Sequence, residues 1–262
     1  MQLICCQLDI VWENKAATHQ RVTRLLDGAT IRPGARVVLP EMFDTGFSLD
    51  VGRTAEDEAR PSQRFLAATA RRLGVFVLGG IVSRAGPDRG RNEAVVFDPQ
   101  GNEVARYCKL HPFSFGQEDK HFEPGEHLAA FTWAGLTVAP FVCYDLRFPE
   151  VFRSAARRGA QVLAVIANWP AARQSHWLTL LEARAIENQA YVVGVNRCGE
   201  DPNHTYGGRS LVVDPRGQIV ADAGPDECAV TADVDAGGLA DYRKQFPALR
   251  DMRDEFIFNP PA

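Results

Sequence analysis

Two ten-residue stretches of this chain share a pattern of apolar and turn positions: Val95-Val96-Phe97-Asp98-Pro99-Gln100-Gly101-Asn102-Glu103-Val104 and Leu211-Val212-Val213-Asp214-Pro215-Arg216-Gly217-Gln218-Ile219-Val220. Each joins two β-type runs through Asp-Pro-x-Gly. Aspartate, proline and glycine there supply a side-chain acceptor, a preset φ and a free φ, so both read as hairpin turns. The segments leading to each hairpin also share an order. In the first half, residues 3–10, 35–41 and 75–82 are buried-strand runs, separated by helical patterns over 13–29 and 62–73, with 45–60 a polar loop. The hairpin strands span 92–97 and 103–109. In the second half, strands at 136–143, 161–168 and 190–197 alternate with helices at 150–158 and 175–189 before the strands at 209–213 and 218–221. The pattern predicts an internal duplication of a β-α-β-α-β-hairpin unit.

Right-handed crossovers put successive helices of such a unit on one face of its sheet. The bare faces of two units then pack together, which predicts an α/β fold of the four-layer α-β-β-α sandwich type. Hydrophobic residues at 45% of the chain are enough to fill that core. A single domain over 1–262 is expected, closed by a strand at 228–234. Residues 239–262 form a tail whose Tyr242, Phe246, Phe256 and Phe258 predict packing on a neighbouring surface, such as another subunit.

A formal charge of −4 disfavours attraction to nucleic acid, and no apolar run is long enough to span a bilayer. A small-molecule partner is expected. The N-terminal run reads as a strand and not as a leader, which predicts a cytoplasmic protein. Cysteines at 5, 6, 108, 143, 198 and 228 form no Cys-x-x-Cys pair, and the histidines show no ligand spacing. Neither a disulfide framework nor a metal is indicated.

Ligand sites in open α/β sheets lie beyond the carboxyl ends of strands. Three residues of complementary chemistry end such runs here: Glu41, Lys109 and Cys143. A buried cysteine is usually a small hydrophobe, and a charge at a strand end is usually solvated. Cys143, however, stands where a strand gives way to Pro149 and a helix, and backbone N–H groups at such a turn favour the thiolate. The sequence thus predicts a lowered thiol pKa.

With Leu39-Pro40-Glu41-Met42-Phe43, Tyr107-Cys108-Lys109-Leu110-His111, Cys143-Tyr144-Asp145-Leu146-Arg147-Phe148-Pro149-Glu150 and Ala183-Arg184-Ala185-Ile186-Glu187-Asn188-Gln189, the chain resembles the nitrilase superfamily of carbon–nitrogen hydrolases over nearly its whole length. The resemblance implies a Glu–Lys–Cys triad at Glu41, Lys109 and Cys143, and a second glutamate at Glu118 in Phe115-Gly116-Gln117-Glu118. It implies no metal and no organic cofactor, and a homodimer or larger assembly. In this scheme Glu41 removes the thiol proton, Cys143 attacks an amide carbonyl, and Lys109 with the backbone N–H of Tyr144 stabilises the oxyanion.

The stretch Ala167-Asn168-Trp169-Pro170-Ala171-Ala172-Arg173 with His176-Trp177 most resembles the ω-amidase branch, whose substrates are α-keto acid ω-amides such as 2-oxoglutaramate and 2-oxosuccinamate. A substrate carboxylate calls for an arginine, and Arg147 and Arg173 are the candidates. Arg147 could instead pair with Asp145 or Glu150, and Arg173 could be a solvated loop residue. Trp169, Phe43 and Phe115 are candidate pocket walls. Tyr144-Asp145 stands where true nitrilases typically show Trp-Glu, which disfavours nitriles. The enzymatic alternative is an N-carbamoyl amino acid hydrolase, and the alternative of another class is a catalytically silent binding or assembly module.

Overall fold

The fold was obtained as a computed structural model, which describes residues 1–253. The first half comprises β1 (Gln2–Gln7), α1 (Lys15–Asp27), β2 (Arg36–Val38), α2 (Val51–Thr54), α3 (Pro61–Leu73), β3 (Phe76–Arg84), β4 (Gly90–Phe97) and β5 (Glu103–Cys108). A short helix, α4 (Glu118–His121), leads to the second half: β6 (Phe131–Trp133), β7 (Leu136–Val142), α5 (Pro149–Arg157), β8 (Val162–Ala167), α6 (Gln174–Asn188) and β9 (Tyr191–Asn196). There follow β10 (Cys198–Glu200), β11 (Thr205–Gly207), β12 (Leu211–Val213), β13 (Ile219–Asp222), β14 (Cys228–Asp233) and α7 (Ala236–Gln245).

Two six-stranded sheets result, ordered β14-β1-β2-β3-β4-β5 and β13-β12-β9-β8-β7-β6. In each, three parallel strands are flanked by antiparallel ones: β1, β2 and β3 correspond to β7, β8 and β9, and the hairpin β4–β5 to β12–β13. The two Asp-Pro-x-Gly turns match in detail. Asp98 Oδ1 accepts from the amides of Gln100 and Asn102, and Asp214 Oδ1 accepts from those of Arg216 and Gln218, all within 2.8–2.9 Å. Gly101 and Gly217 sit at φ +77° and +85°, the left-handed region that glycine tolerates. Both hairpins carry a register shift at the residue before the turn's aspartate.

The layers follow from where apolar surface can go. One cluster, with Val22 and Leu26 of α1 and Leu66 and Ala70 of α3, fills the space between those helices and the first sheet. A larger cluster takes Leu3, Val38 and Val96 from the first sheet, Val138, Val165 and Val193 from the second, and Phe152 and Leu181 from α5 and α6. Each fully buried side chain of this size contributes roughly 1.5–3 kcal/mol. The order of layers is helices, sheet, sheet, helices, as expected.

Several boundaries differ from expectation. β2 ends at Val38, so Glu41 lies in the turn beyond it and not on the strand. The 45–60 segment contains α2, capped by Asp50, whose carboxylate accepts from the Arg53 amide. The 228–233 strand pairs antiparallel with β1, completing the first sheet as β6 completes the second. Of the tail's aromatics, the Tyr242 and Phe246 rings lie 6.4 Å apart, tilted by 43°, and Phe246 is 59% exposed. Phe256 and Phe258 lie outside the described residues.

Candidate active site

Cys143 leaves β7 at φ +46°, an unfavourable conformation for a residue with a Cβ, and opens the 3-10 turn Cys143–Arg147. The turn is held from beneath by Asp145, fully buried, which accepts from the Val142 amide (3.0 Å), the Tyr107 hydroxyl (2.7 Å) and the His111 amide (3.0 Å), and pairs with His111 Nδ1 (2.8 Å). Arg184 of α6 donates to the carbonyl of Leu146 at 2.8 Å. These bonds aim the sulfur and leave the Tyr144 N–H in the first turn, where no acceptor lies within the helix. Asp145 is thereby occupied, and Arg147 does not pair with it.

The expected lowering of the Cys143 pKa is reversed. Burial, and after it the negative charge of Glu41, hold the thiol well above its ordinary value, while Lys109 opposes them. A short turn cannot offset the desolvation of a thiolate beside a carboxylate. At neutral pH the sulfur therefore keeps its proton until a base takes it.

Glu41, Lys109 and Glu118 meet beneath the sulfur. Lys109 Nζ donates to Glu41 Oε1 at 2.9 Å and to Glu118 Oε2 at 2.8 Å, and all three side chains are essentially inaccessible. Burial works against the ammonium, but Glu118 and then Glu41 raise its pKa above the usual lysine value. Burial raises that of Glu118 despite Lys109. Glu118 also accepts from the Phe113 amide at 2.6 Å. Two asparagines not anticipated from the sequence complete the cluster. Asn92 Nδ2 bridges Glu41 Oε1 (2.6 Å) and Glu118 Oε1 (2.8 Å), and Asn168 donates its amide to Glu41 Oε2 (2.8 Å) and Nδ2 to the Glu41 carbonyl (2.7 Å). The turn bearing Glu41 presses on β3 so closely that a Cβ on Gly80 would lie 2.5 Å from Glu41 Cα. Only glycine fits there.

Above this cluster opens a cavity of about 530 Å³. Lys109 and Cys143 lie on it with Tyr144, Arg147, Trp169, Arg173 and Phe115. Arg147 rests on the Trp169 ring at 4.9 Å and Arg173 on Phe113 at 5.4 Å. Neither arginine forms an ion pair with a carboxylate among the described residues. Phe43 does not wall the cavity. It is fully buried behind the Glu41 turn against His19 and Phe65, because the chain turns back toward β3 and α3 there. Walls missed by sequence reasoning include Phe47 and Leu49 from the loop before α2, Phe113, and Asn203, His204 and Tyr206 from the β10–β11 hairpin.

Among the described residues, no helix is long and apolar enough to cross a membrane. The family model for carbon-nitrogen hydrolases matches residues 3–244. Omega-amidase YafV of Yersinia enterocolitica is 38% identical, the match covering 98% of each chain. The 2-oxoglutaramate amidase of Bacillus subtilis is 32% identical over 96% of this chain and 97% of its own. A crystal structure of XC1258 from Xanthomonas campestris, a CN-hydrolase superfamily protein with an arsenic adduct in its active site, superposes with a TM-score of 0.89 at 34% identity, covering 97% of each chain. The strained cysteine turn, the buried carboxylate–lysine cluster and these matches agree: the chain belongs to the carbon-nitrogen hydrolase family.

Proposed function

We propose that this protein is an ω-amidase that releases ammonia from α-keto acid ω-amides of the 2-oxoglutaramate and 2-oxosuccinamate type through a Cys143 thioester. The observation that carries the reading is one cavity with a buried Glu41–Lys109–Glu118 cluster and Cys143 at its floor and, on its walls, two arginines that have no carboxylate partner among the described residues. The floor suits amide chemistry and the arginines suit a substrate carboxylate. The names borne by the relatives at 38% and 32% identity favour the same substrates.

In the reaction, Glu41 takes the Sγ proton as sulfur bonds to the amide carbon. The oxyanion so formed is met by Lys109 Nζ and the Tyr144 N–H, donors each worth roughly 3–4 kcal/mol when preorganised. The proton held by Glu41 passes to nitrogen, the C–N bond breaks and ammonia leaves. Water, deprotonated by Glu41, then attacks the thioester, and the departing thiolate recovers the proton. Glu118 and Asn92 keep Lys109 and Glu41 in place. Burial of the neutral thiol fits this scheme, since the thiolate need exist only as it is consumed.

Arg147 and Arg173 take the substrate carboxylate, and Trp169 and Phe115 enclose its carbon chain. A single domain over 1–262, a homodimer or larger assembly with the 239–262 tail against a neighbour, and a cytoplasmic location complete the proposal; six unpaired cysteines fit a reducing compartment. Ammonia release from 2-oxoglutaramate, compared with N-carbamoyl amino acids and simple nitriles, tests the substrate. Preference for the carbamoyl compounds would assign the alternative hydrolase. An acid-quenched acyl adduct on Cys143, seen by mass spectrometry, tests the intermediate. No turnover of any amide, with iodoacetamide labelling Cys143 at an ordinary thiol rate, would make the protein a silent binding module.

A further inference from the structure

The Arg147 guanidinium touches a second group besides Trp169. Its Nη2 lies 3.2 Å from Nδ1 of His176, in the first turn of α6. Arginine has five donors and no acceptor, so this contact exists only if Nδ1 carries a lone pair and the ring's proton sits on Nε2. The bond therefore selects one neutral tautomer of His176. Its neighbour in sequence, Trp177, is fully buried and donates Nε1 to the Arg209 carbonyl at 2.7 Å, which anchors the turn that presents the imidazole. Trp169, on which Arg147 stacks, is itself pinned by Nε1 donating to the Arg173 carbonyl at 2.8 Å. The guanidinium is thus held on its face by a pinned indole and met at its edge by the exposed imidazole of His176, whose backbone Trp177 anchors.

Resting on the reading that Arg147 receives the substrate carboxylate, we infer that His176 is a positioning residue for substrate specificity. Its Nδ1 acceptor holds Arg147 over Trp169 with the remaining guanidinium donors free for a carboxylate. A long arginine left to itself samples many rotamers, and binding must then order it; an acceptor already bonded to one donor removes part of that cost before substrate arrives. His176 does not line the cavity, so it acts through Arg147 and not by touching substrate. Because the proposal concerns orientation at the carboxylate and not the reacting carbon, its effect belongs in KM.

The test is steady-state kinetics on 2-oxoglutaramate and on a neutral amide of similar length that lacks the carboxylate. The enzymes compared are wild type, Arg147→Ala, His176→Ala, His176→Asn and Arg147→Ala/His176→Ala, with thermal unfolding of each. Asparagine is chosen because its Oδ1 can stand where Nδ1 stands. Expected is a rise in KM for 2-oxoglutaramate of about 3- to 10-fold in His176→Ala, the range of one lost hydrogen bond, with kcat moving far less. His176→Asn should restore most of the affinity, and His176→Ala should add little on the Arg147→Ala background. Wild-type KM in His176→Ala, alongside a raised KM in Arg147→Ala, would overturn the role of His176 and leave the carboxylate reading standing. Equal losses in the alanine and asparagine variants would also overturn it, since the acceptor would then not matter. An Arg147→Ala enzyme that binds 2-oxoglutaramate as well as wild type would remove the carboxylate reading at Arg147, and the inference with it.

Discussion

In the first half the chain leaves β2 and wanders from 39 to 60 before α3 begins, whereas in the second it leaves β8 and reaches α6 by way of 168–173 alone. The reverse holds one connection later. β3 returns directly as β4, while between β9 and β12 the chain makes an excursion that forms the β10–β11 hairpin. The strands of the halves correspond and their joints do not, and chemistry has divided along that line. The first half supplies the buried charges and a neutral bridge between them: Glu41 after β2, Lys109 after β5 with Glu118 close behind, and the Asn92 amide on β4. The second supplies the sulfur and Arg147 after β7, and Trp169 and Arg173 after β8. Where β7 is followed by Cys143 in a strained turn, β1 is followed by Leu8, a fully buried core residue. A repeated frame sets strand ends side by side, and the connections determine what each end carries.

That division can be broken by substitution. The largest effect belongs to Cys143→Ala, which should lower amide turnover by about 10⁴-fold or more while leaving the fold intact by circular dichroism, because the covalent route is gone. Retained turnover would show that the second half does not hold the nucleophile. Next comes Glu118→Gln, which keeps the shape beside Lys109 but removes a buried charge. A fall in kcat of about 100-fold with little change in KM is expected, as for loss of preorganised electrostatics. A change confined to KM would move Glu118 from the chemistry to the binding of substrate.

Smaller effects test the walls. Arg173→Ala should raise KM for 2-oxoglutaramate about 10-fold, the scale of one charge-assisted contact, and far less for a neutral amide. Equal changes for both substrates would take Arg173 out of carboxylate recognition. Phe43→Leu should cost about 1 kcal/mol in urea unfolding, as a modest core repacking does, and leave KM at the wild-type value. A raised KM would put Phe43 back among the pocket walls.

Much of this was legible beforehand for local reasons. Alternating apolar runs and helical spacing gave the order of strands and helices, and Asp-Pro-x-Gly marked both hairpins because its turn is built from neighbouring residues alone. Glu41, Lys109 and Cys143 stood out as polar groups ending apolar runs. Asn92 and Asn168 did not, since an asparagine at a strand end looks like any turn residue until the carboxylate it bonds is known. Asp145 reads from the sequence as a motif residue and a partner for Arg147, and nothing local shows that it holds the cysteine turn. Phe43 reads as a wall because it follows Glu41, and nothing local reveals that the chain there folds back toward α3.

What the sequence determined by itself is the repeated unit, the layered architecture and the identity of the charged and nucleophilic groups, because periodicity, turn chemistry and motif are properties of neighbouring residues. The state and surroundings of those groups come from the folded chain. Local reasoning put Cys143 near N–H dipoles and so toward the thiolate; the folded chain buries it beside Glu41, and desolvation and like charge, which depend on residues a hundred positions away, reverse the shift. The union of Glu41, Lys109 and Glu118 likewise depends on the fold, since Glu41 after β2 and Lys109 after β5 are far apart in the chain and meet only when those strands are assembled in one sheet.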